Sequence, residues 1–226
     1  MNNIEMLASV ARGLGPLKKD AVFVGGATIE LYIAGQAGLK IRPTDDVDCV
    51  VEVVSRAEYH KLEERLRELG FKHPMAEKAP ICRWKYEGIL VDVMPIEGKI
   101  LGFSNRWYPE GFETSVLTKL PDGQEIRIFA LPYLIASKLE AFKDRGNGDF
   151  MGSTDLEDIV AVLDGAPDFQ EQIERASEPL KAYLREGFEE FIRDERFLDA
   201  LEGHLPPAGR QERVSRARAI IEKLSK

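Results

Sequence analysis

Apolar residues come in short runs up to about residue 130 and recur at helical spacing beyond it. The first run, Ala21-Val22-Phe23-Val24, stops at Gly25-Gly26, and Ala27 to Ala34 then follows with apolar positions three and four apart. This pattern predicts a strand, a tight turn and a helix. A loop from Gly35 to Pro43 leads to the strand-like run Val47–Val54, and a helix is expected from Ala57 to Leu69, with Ser55 as its cap and Gly70 as its stop. Two strands, Ile81–Tyr86 and Ile89–Met94, flank Glu87-Gly88 as a hairpin that Pro95 ends. A second hairpin is expected around Pro121-Asp122-Gly123, between Val116–Leu120 and Glu125–Phe129. Helices should follow over Tyr133–Phe142, Asp155–Leu163 and most of the chain from Phe169, with Gly146–Gly152 as a mobile loop. The pattern divides the chain into an α/β part, 1–130, and a helical part, 131–226. The class is α+β.

Composition narrows the possibilities. The 226 residues hold 31 Lys+Arg against 39 Asp+Glu, a formal charge of −8, which argues against a chain that coats nucleic acid non-specifically. The charge is unevenly placed: 168–205 carries eleven acids and five bases, whereas 206–226 carries two acids and six bases. That tail is either a solvated helical face or a positive surface for a polyanion. No apolar run approaches the roughly 20 residues that span a bilayer, so no membrane association is expected. The N-terminal stretch has no signal-peptide core, and Cys49 and Cys82 have neither zinc-site nor disulfide-framework spacing, so the expected compartment is the cytoplasm.

The chemistry concentrates in Arg42-Pro43-Thr44-Asp45-Asp46-Val47-Asp48. Asp46 and Asp48 lie two apart at the start of a strand, so their carboxylates share a face. Two such acids repel unless a cation lies between them, and an all-oxygen ligand set suits Mg²⁺ or Mn²⁺ rather than zinc. Asp92 sits inside the apolar strand Ile89–Met94, where an unpaired charge is costly. Convergence of Asp46, Asp48 and Asp92 on one or two metal ions would satisfy all three, the geometry of two-metal phosphoryl and nucleotidyl transfer. Taken singly, these features are ordinary: acids two apart can be a solvated outer face, and Gly25-Gly26 can be simple turn chemistry. Arg83 and Lys85 can line a cleft or belong to the sheet surface. His60, His73 and His204 have no ligand spacing with one another, and no nucleophile-elbow sequence is present.

Val24-Gly25-Gly26 followed by Arg42-x-Thr44-x-Asp46-Val47-Asp48 resembles the first motif of the DNA polymerase-β-type nucleotidyltransferase superfamily, in the form carried by the AbiEii/AbiGii toxin family and its MenT-like relatives. That family also carries a helical lysine, an arginine and a Lys-Asp-x-x-Asp element. Here Lys138 in SKLEAF, Arg145, and Asp155 with Asp158 match them, so the resemblance runs from about residue 21 to 163. Gly26 stands where many members carry serine, and Thr154 stands in place of the lysine before Asp155.

The resemblance implies a nucleotidyltransferase-type mixed β-sheet with flanking helices and a helical C-terminal region that completes the active site. It implies Asp46, Asp48 and Asp92 as metal ligands for Mg²⁺ or Mn²⁺, with Lys138 and Asp155 beside them in catalysis. Gly25, Gly26, Arg42, Thr44, Lys138, Arg145 and Asp158 would bind the nucleotide. The substrate would be an NTP and the acceptor a tRNA 3′ end or other RNA, in a toxin of a toxin–antitoxin or phage-defence system with a cognate antitoxin protein as partner. Two alternatives remain: an antibiotic-type nucleotidyltransferase acting on a small molecule, and a catalytically silent NTP-binding or interaction module. Apart from the resemblance, Lys138 reads equally as an exposed lysine on an amphipathic helix, and Asp155 as an acid at a helix N-terminus.

Overall fold

Among the described residues of the first 130, six strands form: Ala21–Val24 (β1), Asp46–Val51 (β2), Arg83–Tyr86 (β3), Ile89–Pro95 (β4), Val116–Lys119 (β5) and Glu125–Ile128 (β6). The computed structural model describes residues 1–33, 41–75, 79–102 and 105–226. The loop expected at 35–40 and the end of the helix expected at 27–34 therefore lie outside the described residues. The strands make one mixed sheet in the order β3-β4-β2-β1-β6-β5. β2 runs parallel to β4 and β1 parallel to β6, while β1–β2, β3–β4 and β5–β6 are antiparallel.

Both expected hairpins form, and local chemistry explains why. Glu87 and Gly88 both have positive φ, 47° and 89°, the pair of left-handed residues that matches the twist of a two-residue hairpin. Gly123, at φ 88°, supplies the corresponding freedom between β5 and β6. β1 spans the expected run and β4 runs on through Pro95, whereas β3 begins at Arg83 rather than Ile81 and β2 spans Asp46–Val51 rather than Val47–Val54.

Helices α1 (Asn3–Leu14), α2 (Ile29–Tyr32), α3 (Arg56–Glu68) and α4 (Tyr108–Glu113) accompany these strands. A capping box starts α1, in which the Asn2 side chain accepts from the Glu5 amide and Glu5 accepts from the Asn2 amide. Leu7, Val10 and Leu14 then share one buried face. Ser55 caps α3 as expected, and Tyr59 anchors it by donating from its hydroxyl to the Val93 carbonyl at 3.2 Å. Along β2 the burial changes from alternating at Asp46 and Asp48 to continuous at Cys49–Val51. β2 is thus buried on both faces beyond the two acids, whereas the edge strand β5 is largely exposed.

The remaining helices are α5 (Leu131–Arg145), α6 (Thr154–Gly165), α7 (Phe169–Glu174), α8 (Glu178–Arg193), α9 (Glu195–His204) and α10 (Arg210–Leu224). α5 extends beyond the expected Tyr133–Phe142 at both ends. Ser153 caps α6 by accepting from the Leu156 amide. The region beyond Phe169, read as broadly helical, resolves into four helices. α5 and α8 approach closely because Gly187 faces Leu139, where a β-carbon would overlap the leucine side chain. Phe142, Phe150, Phe191 and Phe197 pack as an aromatic cluster with ring centroids 4.7 to 6.2 Å apart.

Chain contacts separate two units: Met1–Glu30 with Arg42–Ala130, and Leu31–Ile41 with Leu131–Lys226. The architecture is α+β, a mixed sheet with flanking helices followed by a helical C-terminal region. Among the described residues, no helix is long and apolar enough to cross a membrane.

Candidate metal centre

Strand register assembles the site. β4 places Asp92 directly beside Asp48 of β2, and β3 places Arg83 directly opposite Asp92. Arg83, Asp92 and Asp48 therefore form a row across three adjacent strands on one face of the sheet. Asp46 joins that face from two residues earlier on β2. One carboxylate oxygen from each of Asp46, Asp48 and Asp92 lies within 4.8 Å of the others. The three acids that the sequence singled out are thus together.

A cation already spans part of this cluster. Arg83 donates from Nε to Asp92 Oδ1 at 2.8 Å and from Nη2 to Asp92 Oδ2 at 2.7 Å, and the same Nη2 reaches Asp46 Oδ2 at 3.2 Å. The paired bonds to Asp92 are the bidentate fork that favours arginine over lysine. They push the Arg83 pKa up, so the guanidinium stays charged. Asp46 also accepts from the Thr44 hydroxyl at 2.9 Å, on Oδ1. The Thr44 amide in turn donates to Asn3 Oδ1, and Asn3 Nδ2 donates to the Arg42 carbonyl. A buried asparagine on α1 therefore holds the segment that delivers Asp46.

At the other end of the row, Val24 pairs with Asp48, and the chain turns sharply at Gly25. Gly25 has φ 76°, and a β-carbon there would collide with the Asp48 carboxylate. Both facts demand glycine. Its carbonyl accepts from the Thr28 hydroxyl at 2.8 Å and from the Thr28 amide at 3.2 Å, which closes the turn that begins at Gly26. Gly25→Ala is expected to destabilise the protein by about 1–3 kcal/mol through the left-handed backbone alone and to weaken divalent-cation binding by displacing Asp48. Thermal melts with and without Mn²⁺ check this, and an alanine variant that matches the parent in both would contradict it.

The two cysteines lie close by, but as neutral thiols. Burial, then the nearby negative charges of Asp48 and Asp92, pushes the Cys49 thiol far up. Burial, then Asp92, pushes Cys82 up to about 12. Among the described residues, the side chains placed to hold a metal ion here are Asp46, Asp48 and Asp92, so the donor set is oxygen.

The remaining predicted residues form a separate cluster in the second unit. Lys138 is buried on α5 and bonds Asp155 Oδ1 at 3.1 Å and Asp158 Oδ2 at 2.7 Å. The two aspartates, three apart on α6, share a face. Arg145 forks onto Asp155 from Nε at 3.0 Å and Nη2 at 3.1 Å, beside a cavity of about 360 Å³ lined by residues from Arg145 to Asp155. In the intervening loop, Asp149 accepts from the amides of Met151 and Gly152. The charge of Lys138 is already met by two carboxylates within this unit.

Sequence reasoning left Arg83 undecided between a cleft and the sheet surface, and it did not single out Asn3. The basic tail has a specific answer: Arg213 and Arg216 both bond the buried Asp164 at the end of α6, Arg218 pairs with Glu222, and Lys223 lies 3.6 Å from Glu174.

No protein-family model matches the chain, and no curated protein matches it. Among solved structures, it is similar to the antibiotic-resistance factor ANT(2'')-Ia, whose solution structure was described in terms of substrate-regulated conformation dynamics. The two share 15% identity with a TM-score of 0.49, over 84% of this chain and 95% of that one.

Proposed function

We propose that the chain is a divalent-metal-dependent nucleotidyltransferase that moves a nucleoside monophosphate from an NTP to an acceptor hydroxyl and releases pyrophosphate. The observation that carries this reading is the row Arg83, Asp92, Asp48, with Asp46 on the same face: three converging carboxylates and a guanidinium lodged across two of them. The guanidinium marks the place as one where positive charge resides, and the oxygen-only donor set fits Mg²⁺ or Mn²⁺. When bound, such a metal lowers the pKa of the acceptor hydroxyl and offsets charge on the triphosphate.

The chain's own residues do the rest. Asp46 and Asp48 hold the cation, with Asp46 aimed by Thr44. Gly25 lets the backbone turn against Asp48 without a side chain in the way. Asp92, the most buried of the three, completes the metal site, orients the acceptor hydroxyl and takes its proton. The acceptor oxygen bonds to the α-phosphorus, the bond from that phosphorus to the bridging oxygen breaks, and pyrophosphate leaves with the electron pair.

For the acceptor we infer RNA, with the tRNA 3′ end as the specific site and a toxin or phage-defence role opposed by an antitoxin protein. The motif that runs from Val24 to Asp48 supports this. So does a groove of about 540 Å³ in the first unit, lined by Lys18, Lys19, Lys119 and Arg127 against the single acid Glu125. Lys18, Lys19 and Lys119 form no ion pair with the described residues, and they offer positive charge to a phosphate backbone. A second reading, a small cationic acceptor, is favoured by the formal charge of −8 and by the commitment of Arg213 and Arg216 to Asp164.

The test is incubation of the purified protein with each α-labelled NTP, Mg²⁺ and total cellular RNA. Label in RNA that EDTA abolishes is the expected result. Label in RNA should also fall at least tenfold when Lys18, Lys19 and Lys119 are changed together to glutamate. Absence of transfer to RNA, with label instead on an aminoglycoside-type acceptor, would replace the RNA reading by the second. Transfer to neither would count against the enzyme.

A further inference from the structure

Three carboxylates this close repel one another unless a cation lies among them. For Asp92 and Asp46, Arg83 supplies that cation. It sits on β3, the edge strand of the sheet, with its side chain 28% exposed. Solvent is therefore open to it if it lets go. Its contacts are specific: both Asp92 oxygens take one bond each from the fork, and Nη2 is shared with Asp46. A divalent cation ligated by Asp92 would sit about 2.1 Å from one of those oxygens, against 2.7 to 2.8 Å for the guanidinium nitrogens. Two positive groups on one carboxylate at those distances repel strongly in a partly buried site.

We propose that Arg83 is the resident counter-cation of Asp92 and Asp46, and that a divalent cation gains Asp92 only by displacing the guanidinium fork. The proposal rests on the reading of the triad as a metal centre given above. Without metal, Arg83 keeps Asp92 and Asp46 converged and so maintains the site. Once metal enters, the guanidinium is released at the edge of the site, where an incoming triphosphate is the natural partner for a planar fork. Metal and nucleotide should then assist each other's binding, because each offers a partner to a group the other displaces.

Mn²⁺ binding to the full chain, counted from the electron-paramagnetic-resonance signal of the free ion, tests this without reference to turnover. Arg83→Gln should bind Mn²⁺ about tenfold or more tightly than the parent, the worth of roughly one charge-assisted hydrogen bond. Removal of a nearby positive charge would strengthen binding in any case, so Arg83→Lys is the decisive variant. Lysine keeps the charge but cannot occupy both Asp92 oxygens. It should bind Mn²⁺ several-fold more tightly than the parent, and Mn²⁺ should raise the melting temperature more in both variants than in the parent. If Arg83→Gln fails to fold without metal, Arg83→Lys carries the test alone.

A lysine variant that matches the parent overturns displacement of the fork and leaves only a net-charge effect. Weaker binding in both variants overturns competition and makes Arg83 a support for the ligands. If parent and variants alike bind no Mn²⁺, the metal-centre reading fails and this inference with it. Binding by the parent that Arg83→Lys leaves unchanged sinks the inference alone.

Discussion

Asp48→Asn is expected to lower nucleotidyl transfer by at least about a thousandfold while leaving the fold intact. The change keeps the shape of the side chain and removes one of the charges that hold the cation. The loss of about 4 kcal/mol of transition-state stabilisation that this implies is of the size expected when a metal's electrostatic contribution disappears. Asp48 is the right member of the triad to change. It lies beside Asp92 and is not among the carboxylates that Arg83 bonds, whereas Asp46 and Asp92 both hold that guanidinium. Loss of Mg²⁺-dependent NTP binding in a calorimetric titration is the accompanying result. Full turnover in this variant would remove Asp48 from the metal site.

The largest expected effect on stability lies in the second unit. Lys138→Met leaves Asp155 and Asp158, with side chains 4% and 2% exposed, without the ammonium that lies between them. Breaking a buried ion pair from one side typically costs about 3–5 kcal/mol, because a desolvated charge loses its partner. At about 2–4 °C per kcal/mol for a chain of this length, melting should fall by roughly 10 °C. Asp155 keeps its fork from Arg145, while Asp158 loses its 2.7 Å ion pair with the ammonium. Adding Asp158→Asn to Lys138→Met should therefore recover part of the loss. Scanning calorimetry of the two variants checks this. A Lys138→Met protein as stable as the parent would mean that the cluster contributes little to the fold.

These two sites differ in how far the sequence reveals them. Asp46 and Asp48 announce themselves by their spacing at the head of a strand, and Asp92 by its place inside an apolar run. Arg83 was equally available in principle. A two-residue turn at Glu87-Gly88 pairs Tyr86 with Ile89, and counting back along both strands sets Arg83 opposite Asp92. The pattern of types alone reads it as sheet surface, because an arginine that alternates with Trp84 is ordinary there.

Helix α1 was not among the elements expected from the sequence, although Asn2 and Glu5 form its capping box. The contacts of Asn3 to Arg42 and Thr44 leave no local pattern, since they join residues 39 and 41 apart. The same holds for the tail. Arg213 and Arg216 read as a free basic face until α10 packs against α6 and brings Asp164 to them from 49 and 52 residues away. Lys138 shows the converse difficulty. Amphipathic spacing suggests an exposed lysine, and only the packing of α5 on α6 reveals the two aspartates that bury it.

The central claim is that the triad directs attack at the α-phosphorus of an NTP. The most direct measurement follows two positions of label in parallel, with the parent protein, Mg²⁺ and total cellular RNA. Label at the α-phosphate should appear on the acceptor, label at the γ-phosphate should appear only in pyrophosphate, and the Asp48→Asn protein should give neither product. Transfer of the γ-label to the acceptor, or its release as inorganic phosphate, would contradict the account, because bond cleavage would then lie at the wrong phosphorus.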